Sequence, residues 1–298
     1  MSLLASTRSR VILAACAAAA CGAAVFIPTA EAAEPAPPPA HADFDYQIGK
    51  PYAPPEGVTV VSRDWKGSPA QGLYNICYVN AFQTQKVGED GGPDDWEQHL
   101  LLKKSNGDPL IDPDWDEAIL DITSDENRQD IAEEINTQID TCADSGFDAL
   151  ELDNYDTFTR DVVEGRISED DAQAYIRMLS AHGHDKGLAV GQKNTVELAA
   201  NHEANGLDFA IAEECGDQKE LDTDGSVEYD ECAAYTEEFG NDVIMIEYTG
   251  SGMANACEYS DRVSVVQRDR DVVAPGEVGK DENGDPAPYL RKTCADYQ

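Results

Sequence analysis

Gly146-Phe147-Asp148-Ala149-Leu150-Glu151-Leu152-Asp153-Asn154-Tyr155-Asp156 carries an apolar, alternating run straight into a group of carboxylates. Phe147, Ala149 or Leu150, and Leu152 supply a buried strand, and Asp153, Asn154 and Asp156 arrive where it stops. In a barrel of parallel strands, the C-terminal strand ends are where chemistry is kept. A second acidic strand end follows at Leu207-Asp208-Phe209-Ala210-Ile211-Ala212-Glu213-Glu214-Cys215. Two carboxylates delivered by two parallel strands are the minimum equipment for hydrolysing a glycosidic bond.

Working outward, short β-rich segments alternate with helical patterns, the signature of parallel βα units. Strands are predicted near Phe44–Ile48, Val58–Ser62, Asn75–Asn80, Ala118–Ile122, Phe147–Leu152, Leu188–Gln192, Leu207–Ile211 and Val243–Glu247, with a ninth at Val263–Gln267. Helices are predicted over Glu126–Ala143, where Ile131, Ile135 and Ile139 recur every four residues, over Ser168–His182, and over Asp230–Phe239. Ser168 with Asp171 has the form of a capping box. The expected fold class is α/β, a (β/α)8 TIM barrel in a single domain, with one strand outside the ring or one segment misread as strand.

Arg8 and Arg10, an apolar run from Val11 to Ile27, and Ala30-Glu31-Ala32 read as an export signal over residues 1–32. Cys16 after Leu13-Ala14-Ala15 gives a lipid-anchored alternative, although the apolar run ahead of it is short. The proline-rich residues 33–42 read as an extended tether. Residues 43–298 are then the barrel domain, near the roughly 250 residues typical of the fold. No other apolar run approaches a membrane span. The expected mature protein is secreted and monomeric.

Six cysteines remain after cleavage, an even number suited to disulfides in an exported chain, and they allow 15 connectivities. Proximity along the chain favours Cys215 with Cys232 and Cys257 with Cys294, leaving Cys77 with Cys142. The alternative for Cys77 is a buried thiol. No Cys-x-x-Cys pair is present and the histidines are scattered, so no metal is expected. Asp222 to Glu228 is oxygen-rich but lacks calcium-loop spacing and reads as a turn.

With 59 acidic and 21 basic residues the net charge is −38. Nucleic acid and anionic membranes are repelled. A cationic partner such as a partly deacetylated amino-sugar polymer is attracted, and solubility in a salty medium is the other account of the same charge.

The segment from Asp148 to Tyr155 invites comparison with family-18 chitinases, whose D-x-x-D-x-D-x-E motif ends in the proton donor, but Tyr155 stands at that position. A fuller likeness lies elsewhere. Asp153-Asn154-Tyr155-Asp156, then His184-Asp185-Lys186-Gly187-Leu188-Ala189-Val190-Gly191-Gln192-Lys193-Asn194, then Glu213-Glu214-Cys215, Tyr229-Asp230-Glu231-Cys232 and Ile246-Glu247-Tyr248 follow in the order of the endo-α-1,4-polygalactosaminidase family, glycoside hydrolase family 114. Tyr46-Gln47 and Ile76-Cys77-Tyr78 resemble its opening strands. Ala212 stands where the family has asparagine.

The resemblance implies a barrel cleaving α-linked galactosamine-containing polymers from within, without metal or organic cofactor. It makes Asp153 and Glu213 the catalytic acids, Asp153 as nucleophile in a retaining reaction or with the roles reversed. Around them, Gln47, Asp64, Tyr78, Asn154, Asp156, Lys193, Glu247 and Tyr248 are the candidate substrate-binding residues. Tyr78 or Tyr248 would stack on a sugar; Asp156 would bind a hydroxyl or cap its loop; Lys193 would lower the pKa of a catalytic carboxylate or neutralise Asp153 structurally. Glu214 is the alternative acid, and His184, in a turn at the opposite barrel end, is expected to be structural. The rival reading is a catalytically silent carbohydrate-binding barrel, and a third is a hydrolase of another α-glycan.

Overall fold

Eight parallel strands run side by side in a nearly closed ring: β1 (Phe44–Tyr46), β2 (Val60–Asp64), β3 (Tyr74–Asn80), β4 (Ala149–Asp153), β5 (Ala189–Lys193), β6 (Phe209–Glu213), β7 (Val243–Glu247) and β8 (Ser264–Arg268). The computed structural model describes residues 35–281 and 283–297. The export signal expected at 1–32, with Cys16, lies outside the described residues. Residues 35–42 form neither helix nor strand and lie against the barrel, where Tyr74 donates its hydroxyl to the Ala36 carbonyl.

Period-two alternation explains both faces of the ring. Phe44, Ile76, Ala149, Phe209, Ile211 and Ile246 fill its interior. Leu150, Leu152 and Val190 face outward onto Ile135, Ile139 and Leu179 of the surrounding helices. Gly191 is required inside the ring, because a Cβ there would sit 2.8 Å from the Phe209 ring.

Helix α1 (Asp125–Ser145) starts with Ser124 accepting from the Asn127 amide and ends at Gly146, whose φ of 89° suits glycine. Helix α2 (Glu169–Asp185) opens with the expected Ser168/Asp171 capping box. Helices α3 (His202–Asn205), α4 (Glu231–Phe239, capped by Asp230) and α5 (Gly250–Ala256) follow β5, β6 and β7. Among the described residues no helix separates β1 from β2 or β2 from β3, and none is long and apolar enough to cross a membrane.

One expected barrel strand is elsewhere. The segment read at Ala118–Ile122 contributes Glu117–Ile119 to a three-stranded antiparallel sheet with Gln83–Lys86 and Ile111–Asp112, inserted between β3 and α1. Its apolar run, with Ala118, Ile119, Leu120 and Ile122 all buried, marks an enclosed strand and carries no information about the partner. The ninth candidate, Val263–Gln267, is therefore a ring member. The true extra strand is Arg291–Lys292, antiparallel to β8. Arg291 also donates to the Phe44 carbonyl at 2.9 Å, drawing the C-terminal segment across the seam between β8 and β1.

All three expected disulfides are present: Cys77–Cys142, Cys215–Cys232 and Cys257–Cys294. Asp222 to Glu228 is the turn and start of a hairpin in which Asp224 accepts from Ser226.

Candidate active site

Asp153, Lys193 and Glu213 are the last residues of three consecutive strands, β4, β5 and β6, so one rim of the barrel holds all three. The Lys193 ammonium sits between the carboxylates, 3.0 Å from Asp153 Oδ1 and 3.3 Å from Glu213 Oε2. Its third carboxylate partner is Glu151, at 2.9 Å and fully buried. Lys193 is 2% exposed, whereas Asp153 and Glu213 keep 18% and 20% of their side chains open, so the acids and not the lysine face solvent.

Each acid has its own phenol. Tyr78 on β3 donates to Asp153 Oδ2 at 2.6 Å, and Tyr248, just past β7, donates to Glu213 Oε1. Tyr46 on β1 donates to Glu151 at 2.7 Å and accepts from Lys193 at 3.1 Å. Burial pushes all three phenols well above their ordinary range, so they remain donors. At Asp153 burial pushes upward, but the Lys193 charge and the hydrogen bonds from Tyr78 and Lys193 prevail and hold the carboxyl below its usual value. Burial lowers the tendency of Lys193 to hold its proton, and the surrounding acids reverse this, raising it well above its ordinary value. The result is an ionised Asp153 beside a permanent cation.

The backbone leaves these strands in a repeated way. Asn154, Asn194 and Glu214, each directly after a site residue, have φ of 64°, 46° and 60°. Left-handed backbone costs a non-glycine residue about 1 kcal/mol or more, and such strain gathers where a side chain must be aimed. At Asn194 part of the return is visible, because its Oδ1 accepts from the Glu213 amide at 2.9 Å.

Of the sequence candidates, Asp153, Glu213, Lys193, Tyr78 and Tyr248 are brought together. Burial pushes the Asp156 carboxyl upward against the pull of Arg160 and Lys193, and Asp153 and Glu213 lie close enough to push it in the same direction as burial. Asn154 is held by Asn80 at 2.9 Å and Arg160 at 2.7 Å, which fixes the loop beside Asp153. Gln47 is not in the cluster. It is fully buried, donates to Asp45 and accepts from Arg63, because strand alternation puts Tyr46 and not its neighbour on the inner face. Asp64 accepts from the Lys66 amide in a turn. Glu247 is also walled off: it is fully buried on the Gly216 amide, with burial pushing it to about 8. Glu214 pairs with Arg270 rather than with Lys193. His184 sits 2.8 Å from Asp208, at the other end of the barrel.

The sequence reading missed Glu151, Tyr46, Arg160 and Arg270. The first was accessible, since a period of two places 151 on the same face as 153. The arginines come from loops whose meeting with the site depends on the whole fold. Among the described residues the only group of metal-ligating types within reach of one another is Cys215, Cys232 and Glu247, and those two sulfurs are bonded to each other.

Residues 27–286 match the model of glycoside-hydrolase family GH114. Ega3 of Aspergillus fumigatus, solved in complex with galactosamine, is 20% identical, with 78% of this chain and 94% of that chain covered and a TM-score of 0.62. The glycoside hydrolase domain of PelA from Pseudomonas aeruginosa is 14% identical, with 77% and 94% covered and a TM-score of 0.49. No curated protein sequence matches. With its model matched over most of the length and an acid pair at the mouth of a TIM barrel, the chain belongs to glycoside-hydrolase family GH114.

Proposed function

We propose that this glycoside hydrolase is exported and cleaves internal α-1,4 bonds of galactosamine-containing polysaccharide with retention, Asp153 acting as nucleophile and Glu213 as acid and base. The observation that carries this reading is the shared ammonium of Lys193, 3.0 Å from one acid and 3.3 Å from the other. One ammonium touching both acids holds them close together, which favours the shorter carboxyl spacing of a retaining pair, ~5–5.5 Å, over the wider gap that leaves room for water in an inverting one. In the first step Asp153 attacks the anomeric carbon while Glu213 gives its proton to the departing glycosidic oxygen. In the second, Glu213 takes a proton from water, the oxygen attacks the same carbon, and the ester to Asp153 breaks.

Galactosamine bound to Ega3 supports the substrate class, as does a net charge of −38, which favours a cationic chain. Three disulfides suit an oxidising compartment. The test is hydrolysis of galactosamine polymer, its acetylated form and neutral α-glycans, with products followed by proton NMR. Early release of the α anomer and mid-sized fragments is expected from the parent and none from Asp153→Asn. First appearance of the β anomer would refute retention, and activity confined to neutral glycans would refute the substrate.

A further inference from the structure

Trp115 is one of seven large apolar side chains left exposed among the described residues, at 38%, and it is at the tip of the inserted sheet, in the turn between Ile111–Asp112 and Glu117–Ile119. The root of this turn is rigid. Asp112 is buried, accepts from Gln83 at 3.0 Å and pairs with Arg160 at 2.8 Å. The same arginine donates to Asn154 at 2.7 Å, the residue after Asp153. The tip reaches the other acid's surroundings. The Arg270 guanidinium lies 5.8 Å from the Trp115 ring centre and 5.7 Å from that of Tyr248, whose hydroxyl binds Glu213, and Glu214 holds the guanidinium with both oxygens at 3.3 Å.

A hairpin rooted beside Asp153 and resting beside Glu213 overhangs the barrel mouth with an indole at its tip. The cation holds one part of the ring system by a cation–π contact, and the part of the indole left exposed is apolar surface that gains from being covered. We propose that Trp115 is the stacking platform of a further sugar subsite, which takes one pyranose of the polysaccharide on the Glu213 side of the scissile bond, with Arg270 as the residue that positions the indole. A galacto-configured ring suits it, since its axial C4 hydroxyl leaves the hydrogens of C3, C4 and C5 on one apolar face. The identity of the sugar rests on the function proposed above; the stacking geometry does not.

The test compares Trp115→Ala, Trp115→Leu and Trp115→Phe on long galactosamine polymer and on a two-sugar substrate too short to reach the tip. Both non-aromatic variants should raise KM for the polymer by about tenfold, with kcat and two-sugar hydrolysis unchanged, and Trp115→Phe should restore most of the loss. An unchanged polymer KM, or equal losses on the two substrates, overturns the subsite. A second readout separates it from the proposed function: quenching of tryptophan fluorescence by galactosamine oligosaccharide in the Asp153→Asn protein. Quenching that disappears with Trp115→Phe supports the platform even if the parent fails to cleave the polymer, a result that would count against the proposed substrate alone. Quenching of undiminished amplitude in the Phe variant overturns the platform.

Discussion

Lys193 and Glu151 form an ion pair at 2.9 Å with side-chain exposures of 2% and 0%. The ammonium has to serve Asp153 and Glu213 as well, so three carboxylates share one cation that water barely reaches. Burial accordingly leaves Glu151 above its usual value despite Lys193 and the Ser62 hydroxyl. Removing the cation strands several buried charges, whereas neutralising one acid relieves competition. Lys193→Met is expected to cost about 3–5 kcal/mol in urea unfolding, and Glu151→Gln about 1–2 kcal/mol. Equal costs would mean that the two act as an isolated pair.

Tyr78→Phe removes only the 2.6 Å hydrogen bond to Asp153. That bond helps hold the carboxyl low, so the variant's Asp153 should titrate higher than the parent's. With Asp153 as the proposed nucleophile, which must be ionised to attack, the acid limb of kcat/KM is expected to move to higher pH. The stability effect has the same origin. A depressed acid contributes stability above its unfolded value, near 3.9, and loses it as pH falls through the folded value. The variant should therefore lose stability near neutrality and approach the parent at acid pH. A pH–rate profile and unfolding midpoints at two pH values check both.

How the sequence foretold these neighbours depends on range. The Asp148–Asp156 segment fixes its own alternation, so Glu151 and Asp153 on one face, and a strand entering a carboxylate loop, are local facts. Glu213 and Lys193 were legible because each ends an apolar strand of the same kind. Ala118–Ile122 was misplaced for the same reason: enclosed in the same apolar cluster as the helices and outer barrel face, it obeys the rule of a barrel strand without being one. Gln47 lost to Tyr46 because one residue of register inverts a face. Arg160, Arg270 and Trp115 left no local trace, since their roles exist only where separate loops meet.

Glu247 was expected at the substrate and is instead enclosed, with Gly216 and Gly252 packed so tightly that a Cβ on Gly252 would lie 2.3 Å from its Oε2. That oxygen has no hydrogen-bond partner. With burial raising it to about 8, the folded protein keeps the proton at pH values where the unfolded chain has released it. Stability contributed by this site therefore declines from roughly pH 4.3 up to about 8. Glu247→Gln removes the titration, and the variant should gain roughly 3–4 kcal/mol on the parent between pH 5 and 8 with KM unchanged. A raised KM would restore Glu247 to the binding surface.

The seam of the barrel depends on the C-terminal segment, and Cys257–Cys294 is what ties that segment to the end of α5. The bond closes a separation of 37 residues, for which constraint of the unfolded chain predicts about 3–4 kcal/mol. Locally, the bond keeps Arg291 over the Phe44 carbonyl and Lys292 against Gln267. Replacing both cysteines by serine should lower stability by that amount and remove hydrogen-exchange protection from residues 291 and 292. The acid pair is carried by β4 and β6 on another part of the ring, so kcat at moderate temperature should change less than twofold. A large fall in kcat without further loss of stability would show that the seam is coupled to the acids, most directly through the Gln267 amide that reaches the Tyr248 carbonyl at 3.3 Å.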